Sequence, residues 1–257
     1  MVRSAKSNSS RIKEMRGTGR GKDYVPWIKV SELSSAGRST RVSGLKTGRV
    51  HHLLSDLETN YFFLLDWAVS VRDIREQYPL ALEETMAIAE RLGIKHPIQP
   101  GSANPAVMTT DFVVTLTNGS EIARSIKYSA DLNNKRNVEK LEIERLYWKN
   151  HGVDWGIVTE LEVPKTVAQN ISWFRSAFTI DSLSISKLAT IQKALSVRIQ
   201  EETTLPLSNL TDQTDDKLGL EPGTSLLVVR HLLATGVWKV NLKEKINPSR
   251  PLTLQID

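Results

Sequence analysis

Glu58, Asp111, Lys127 and Glu144 are the residues of this chain whose types could together cut a phosphodiester bond. That cut requires charge to be neutralised on the phosphorane and the leaving oxygen, and hydroxide to be generated near neutral pH. Carboxylate-held Mg²⁺, or Mn²⁺ in its place, supplies both, and a nearby lysine positions or activates the water. Two or three acids and one lysine gathered at a sheet edge would suffice. At about 100° per residue, Glu58 falls between Leu54 and Leu65 on one side and Phe62 on the other, inside an apolar stripe. Asp56 points the opposite way and Asp66 sits at the border. A carboxylate on a buried face needs a partner, and a metal is one. Ser55-Asp-Leu-Glu58 also spells a capping box, so Glu58 has a second reading as the group that closes the helix start.

Asp111 opens a strand within Thr109-Thr-Asp-Phe-Val-Val, and Lys127 lies near the end of the strand expected to pair with it. An aspartate at a strand end is by itself ordinary punctuation. With a lysine sixteen residues on, across a hairpin, it follows the restriction-endonuclease pattern of Asp, a variable gap, then Glu or Gln, any residue, and Lys. Ser125 stands where that pattern has Glu or Gln. A hydroxyl is a poor Mg²⁺ ligand beside a carboxylate, so the expected metal set is Glu58 and Asp111 with Ser125 or, better, the Ile126 carbonyl. Glu144 shares its helix side with Leu141, Tyr147 and Trp148, whereas Glu139 and Glu142 face away. It is either a fourth site residue or a border glutamate in a surface pair.

Geometry places one demand on the hairpin. A two-residue Asn118-Gly119 turn would set Asp111 opposite Ile126 and send Lys127 to the other face. A shared site therefore predicts a three-residue loop or a bulge.

The elements that must position these residues follow from hydrophobic spacing. His51 to Ala68 reads as a helix, Val71 to Tyr78 as a strand stopped by Pro79, and Leu80 to Leu92 as a short helix ended by Gly93. After a Pro/Gly-containing loop to about Ala106, Thr110 to Thr117 and Ile122 to Tyr128 form the hairpin. Asn137 to Asn150 is an amphipathic helix and Trp155 to Thr159 a further strand. Strands interleaved with helices give a mixed α/β core. Beyond it, Ser182 to Glu202, Ser208 to Leu218 and Gly223 to Thr235 read as helices, with Val237 to Leu242 and Pro251 to Ile256 as a hairpin. Three helices and a two-stranded wing suggest a winged helix. The boundary falls between about Glu160 and Asp181, giving a first domain over 1–165 and a second over 174–257.

Charge points to a polyanionic partner. The net charge is +5, and its excess is concentrated before residue 50. Arg3, Lys6, Arg11, Lys13, Arg16, Arg20, Lys22, Lys29, Arg38, Arg41, Lys46 and Arg49 face only Glu14, Asp23 and Glu32 there. Interleaved glycines would let this segment follow a phosphate backbone; the alternative for residues 1–20 is a solvated tail. Arg38, Arg41 and Arg49, with His51 and His52 beside the last, are the candidate DNA contacts, and the two histidines could instead simply begin the helix. Cysteine is absent, which excludes disulfides and thiolate metal sites. No apolar run approaches membrane-spanning length and the N-terminus has no signal-peptide core, so a cytoplasmic protein with no membrane partner is expected. A non-catalytic winged-helix regulator and a stand-alone restriction or repair nuclease are the competing functions.

Longer stretches carry a resemblance. Gly21-Lys-Asp-Tyr-Val-Pro-Trp, Gly37-Arg-Ser, Lys46-Thr-Gly-Arg-Val-His-His-Leu-Leu-Ser-Asp-Leu-Glu58, Asp73-Ile-Arg-Glu-Gln77, Gly93-Ile-Lys-His-Pro, Thr110-Asp-Phe, Lys140-Leu-Glu-Ile-Glu144 and Tyr147-Trp148 resemble the TnsA family of endonuclease subunits of heteromeric cut-and-paste transposases. The likeness runs from Gly19 to about Trp173 and continues in outline beyond. It implies a restriction-endonuclease-like N-terminal domain, a mixed sheet flanked by helices, and a mainly α, winged-helix-like C-terminal domain. The family's catalytic acids fall on Glu58 and Asp111, its lysine on Lys127 and its helical glutamate on Glu144; Ser125 stands where Gln is found in the family. It further implies double-stranded DNA at transposon ends as substrate, with cleavage of the 5′ strand. The implied partners are a TnsB-like transposase for the 3′ ends and a TnsC-like ATPase regulator met through the C-terminal domain.

Overall fold

The structure is a computed structural model and describes residues 6–32, 38–99 and 101–255, so Gly37 of the Gly37-Arg-Ser run and Ile256 of the expected wing lie outside it. The chain divides into two units, Met1–Val163 and Pro164–Asp257.

In the first unit a short helix, α1 (Asn8–Lys13), precedes a two-stranded antiparallel hairpin of β1 (Thr40–Ser43) and β2 (Val50–Leu53). Helix α2 (Asp56–Trp67) follows, then β3 (Val71–Pro79), α3 (Leu82–Arg91), β4 (Thr109–Leu116), β5 (Glu121–Ile126), α4 (Lys135–Asn150) and β6 (Asp154–Val158). The four-stranded sheet runs β3-β4-β5-β6. Its first three strands are antiparallel, and β6 joins β5 in parallel. A parallel neighbour requires a crossover, and α4 is that crossover.

Each face of the sheet buries its own core. Phe112, Val114, Ile126 and Val158 pack with Leu57, Phe62 and Leu65 of α2. Val113 and Ala123, on the alternate positions, pack with Ile88 and Ala89 of α3 and Ile143, Tyr147 and Trp148 of α4. The result is a mixed sheet between helical layers.

Two expectations about the first unit need correction. His51 to Leu54 are not helical: β2 ends at Leu53 and α2 begins only at Asp56. Ser55 sets that limit, because at φ −146° it is extended and its Oγ accepts the Glu58 N–H at 3.1 Å. The basic N-terminal stretch is also more self-neutralised than its charge suggests. Arg16 is buried, bonds both Glu14 and Glu32 and donates to the Trp27 carbonyl at 3.0 Å, while Arg11 pairs with Glu32 at 3.2 Å.

The hairpin has the register the site demands. Phe112 pairs with Arg124 and Thr115 with Glu121. Leu116 donates its N–H to the Ser120 carbonyl at 2.8 Å, leaving Thr117, Asn118 and Gly119 as the loop, with Gly119 in the left-handed region at φ +87°. Carried one step on, this register sets Asp111 opposite Ser125 and therefore on the face of Lys127.

The second unit is helical: α5 (Lys165–Arg175), α6 (Ile185–Glu201), α7 (Leu207–Leu218) and α8 (Thr224–Ala234). Apolar α8 is central, packed on α5, α6 and α7 through Val228, Val229, Leu232 and Leu233. Buried Asp215 accepts the Gly223 and Ser225 N–H groups, each at 2.8 Å, and so fixes the start of α8. The expected wing is absent among the described residues. From Val237 to Gln255 there is no strand, and a single backbone bond, Gln255 N–H to the Lys239 carbonyl at 2.7 Å, links the two segments. The backbone between those segments is engaged elsewhere in the unit. Buried Asn170 takes the carbonyls of Leu242 and Glu244 and the N–H of Ile246, and Pro248 and Pro251 have no N–H to give. Among the described residues no helix is long and apolar enough to cross a membrane.

Candidate active site

Glu58, Asp111 and Lys127 arrive from α2, β4 and the end of β5 and meet at one end of the sheet. The Lys127 ammonium donates to Asp111 Oδ2 at 3.0 Å and to the Ile126 carbonyl at 2.8 Å. The Ile126 N–H donates to the same Asp111 oxygen at 2.6 Å, pinning that carboxylate to the strand end. Glu58 does close the start of α2: Oε1 accepts from the Ser55 hydroxyl at 3.1 Å, and Oε2 accepts the Leu54 N–H at 3.0 Å. The box is displaced by one residue from its usual form, in which the returning bond reaches the cap residue itself. Capping does not exhaust the group. The Gln77 amide lies 3.5 Å from both Glu58 Oε2 and Asp111 Oδ1, tying the two acids together.

Burial, reinforced by the Asp111 charge, pushes the Glu58 carboxyl up to about 7. Burial would lower the Lys127 ammonium, but Asp111, with Glu144 and Glu58 behind it, outweighs this and holds it above its ordinary value. Lys127 is therefore a proton donor in this arrangement.

Glu144 projects from α4 into the same cluster. It is buried, and its Oε1 accepts from the hydroxyls of Ser125 at 2.5 Å and Thr110 at 2.6 Å. Glu139 and Glu142 instead pair with Arg136 and Arg145 on the same helix. Asp111, Lys127 and Glu144 line a cleft of about 310 Å³ together with Asn137 and Lys140. Ser125, expected beside Ile126 in the metal set, is buried; it donates to Glu144, and its oxygen accepts the Trp155 indole N–H at 3.1 Å.

Burial, then the Asp111 charge, also pushes Glu144 up to about 7 from 4.5. Between those values the folded chain holds a proton that the unfolded chain has released, so stability falls as pH rises through the window and the full cost is present above it. Glu144→Gln keeps the oxygen that accepts from Ser125 and Thr110 and removes the buried charge. In EDTA at pH 8 this variant is expected to be about 1–3 kcal/mol more stable than the parent, with the advantage vanishing below about pH 4.5. Urea unfolding at the two pH values checks this; equal stability at pH 8 would mean that Glu144 bears no buried charge.

The donor chemistry suits a small divalent cation. The carboxylates of Glu58 and Asp111, joined through Gln77, and a main-chain oxygen converge where the Lys127 ammonium already sits on Asp111 Oδ2 and the Ile126 carbonyl. Among the described residues no group of three or more His, Asp or Glu side chains is arranged to hold a metal ion.

The expected DNA contacts separate into two groups. Arg49 and His51 are corrected: their side chains are 7% and 0% exposed, and both bind Glu76, at 2.5 and 2.8 Å. Arg49 also donates to the Ile74 and Gly21 carbonyls, and the other His51 nitrogen meets the Thr47 hydroxyl at 2.7 Å. Burial would raise Glu76, but Arg49 and His51 hold it down at about 2. This is an internal charge network with nothing left for a phosphate. His52 is half-buried, accepts the Val30 N–H at 3.3 Å, and is held below its ordinary value chiefly by burial. Arg41, its cross-strand neighbour, and Arg38, paired with Asp56 at 3.0 Å, are exposed.

The sequence offered Gln77 only within the Asp73–Gln77 run, and Thr109 and Thr110 only as the residues ahead of Asp111. Polar residues next to a candidate acid, at strand positions whose alternation turns them inward, are the signal that could have found them.

Residues 69–160 match the family described as TnsA-like endonuclease N terminal, and residues 162–242 match TnsA endonuclease C terminal. Over 256 residues the chain is 42% identical to the transposon Tn7 transposition protein TnsA of Escherichia coli, covering 96% of this chain and 92% of that relative. The matches span both units and include the elements that carry Asp111, Lys127 and Glu144. The chain belongs to the TnsA endonuclease family.

Proposed function

We propose that this chain is the strand-nicking subunit of a cut-and-paste transposase, hydrolysing the 5′ strand at the ends of a mobile DNA element with Glu58, Asp111, Lys127 and Glu144. The observation that carries this reading is the meeting of residues from α2, β4 and the end of β5, with Lys127 Nζ 3.0 Å from Asp111 Oδ2 and Glu58 joined through Gln77. A non-catalytic regulator would gain nothing from carboxylates kept near pH 7 beside a lysine, since each costs folding stability.

Mg²⁺, when bound, neutralises charge on the phosphoryl group and makes water a nucleophile near neutral pH. Glu58, Asp111 and the Ile126 carbonyl would hold it. Lys127, a donor, orients the attacking water or a phosphate oxygen, and Glu144 adds negative charge that keeps the lysine protonated. The β1–β2 hairpin offers Arg41, with Arg38 before it, as phosphate contacts near the start of α2. The partner reading is a TnsB-like transposase for the 3′ strands and a TnsC-like ATPase docking on the second unit. Exposed Glu201, Asp212, Asp216 and Glu221 there suit a protein partner better than a DNA groove.

Strand mapping tests the proposal. With labelled element ends and the partner transposase present, adding this chain and Mg²⁺ is expected to create a new cut confined to the 5′ strand, and EDTA to abolish it. A new cut on the 3′ strand, or one that persists in EDTA, would overturn the assignment.

A further inference from the structure

Gln77 stands in a backbone conformation that side chains rarely adopt. Its φ is +49° in the middle of β3, although Glu76 and Tyr78 on either side keep regular pairing with Phe112 and Thr110. Such a conformation persists only where its surroundings impose it, and it gathers at functional sites. Here the surroundings are specific. The Gln77 carbonyl accepts the Trp27 N–H at 3.2 Å, and the residue is buried. The Thr109 hydroxyl donates to Gln77 Oε1 at 3.2 Å, which fixes the orientation of the amide and turns its NH₂ group towards the acids. That nitrogen is 3.5 Å from Glu58 Oε2 and 3.5 Å from Asp111 Oδ1. Among the described residues, Gln77 is the single side chain hydrogen-bonded to both.

We propose that Gln77 is the positioning residue of the cation site: a neutral two-pronged donor that sets the spacing of Glu58 and Asp111 so that a divalent cation is bound between them. The inference rests on the reading of these acids as the metal ligands. The physical argument is one of charge and length. Two carboxylates on separate elements, Glu58 buried and Asp111 part-buried, repel, and nothing in α2 or β4 alone fixes their separation. An ammonium between them would compete with the metal, and a third carboxylate would add to the repulsion. A primary amide has two hydrogens, one for each acid, and no net charge. Its contacts are long, so they are weak enough to yield when a cation takes over the same oxygens.

Two variants test this. Gln77→Gly removes the amide while relieving the left-handed backbone, and Gln77→Asn keeps an amide and tolerates that backbone but is one methylene too short to reach both acids. Metal-free full-length protein would be titrated with Mn²⁺ alone in a calorimeter, with Asp111→Asn alongside and thermal melting as the check on folding. Both Gln77 variants are expected to bind Mn²⁺ about tenfold more weakly than the parent. The Mn²⁺ concentration for half-maximal nicking should rise by the same factor, and the rate at saturating metal should fall by less. If the glycine variant fails to melt cooperatively, the asparagine variant decides. Parental Mn²⁺ affinity in a folded Gln77 variant, with affinity lost in Asp111→Asn, would overturn the positioning role and leave the ligand assignment standing. Parental affinity in Asp111→Asn as well would remove the metal site and the proposal with it.

Discussion

Asp111→Asn and Lys127→Ala are each expected to lower 5′-strand cleavage by roughly 10³-fold while leaving the protein folded and able to assemble. Asparagine is nearly isosteric with aspartate and can still accept the Ile126 N–H, but it has no negative charge for a cation and none for the lysine. Alanine at 127 removes the ammonium that lies against Asp111 and the Ile126 carbonyl and leaves both acids in place. Neither change touches the exposed arginines or the second unit. The partner transposase should therefore still process and join the 3′ ends. An element whose 5′ strands stay uncut remains attached to its donor, and replication converts that product into a cointegrate. Counting cointegrates against simple insertions reads the two steps separately. A proportionate loss of both products would indicate an assembly defect, and simple insertions at the parental rate in either variant would end the assignment at that residue.

Arg49→Ala is expected to destabilise the first unit by about 3–5 kcal/mol, with DNA binding by the folded protein little changed. Arg49 covers Glu76, whose side chain is fully buried, and lies over the Tyr24 ring at 5.0 Å. Removing it leaves Glu76 in the interior with the His51 ring as its remaining side-chain partner. Most of the cost is that stranded carboxylate, so adding Glu76→Gln to Arg49→Ala should recover part of the loss. Chemical denaturation measures both. A loss below 1 kcal/mol, together with a DNA affinity reduced as far as in Arg41→Ala, would return Arg49 to the phosphate-binding role its position in the sequence suggested.

Local pattern was legible and distant pairing was not. Helices α3, α4, α6, α7 and α8 and strands β3 to β6 announce themselves through apolar spacing, capping residues and the glycines that end them. The need for Asp111 and Lys127 to share a face was enough to foresee a three-residue loop or a bulge, and the loop is what forms. The β1–β2 hairpin escaped because each strand is four residues long and carries cations or histidines where a strand pattern would show apolar side chains. Helix α5 escaped because Pro164 and the polar start of Lys165–Arg175 read as a linker, whereas Ala168, Ile171 and Phe174 form its buried stripe. Arg49 and His51 were misassigned because their partner, Glu76, is 25 or more residues away, and no local feature separates a cation that meets phosphate from one that meets a buried acid. Ser125 shows the same limit: its acid Glu144 comes from the crossover helix α4 and its indole partner Trp155 from β6 beyond it.

Loop tips are ordinarily where a chain tolerates gained or lost residues. The tip at Thr117-Asn118-Gly119 keeps that freedom only so long as it still closes Leu116 against Ser120, the pairing that carries Asp111 round to Ser125. Asn118-Gly119 alone could close the same pair as a two-residue turn, so a relative one residue shorter at the tip can keep Lys127 beside Asp111. A residue lost inside β5, at Glu121, has the opposite outcome. It would leave all four site residues in the gene and turn Lys127 away from Asp111, with Ala123 and Ile122 exchanging their cores as well. Relatives with a gain or loss between the tip and Lys127 must therefore carry a bulge that restores the alternation, and the position of that bulge can be sought in their structures.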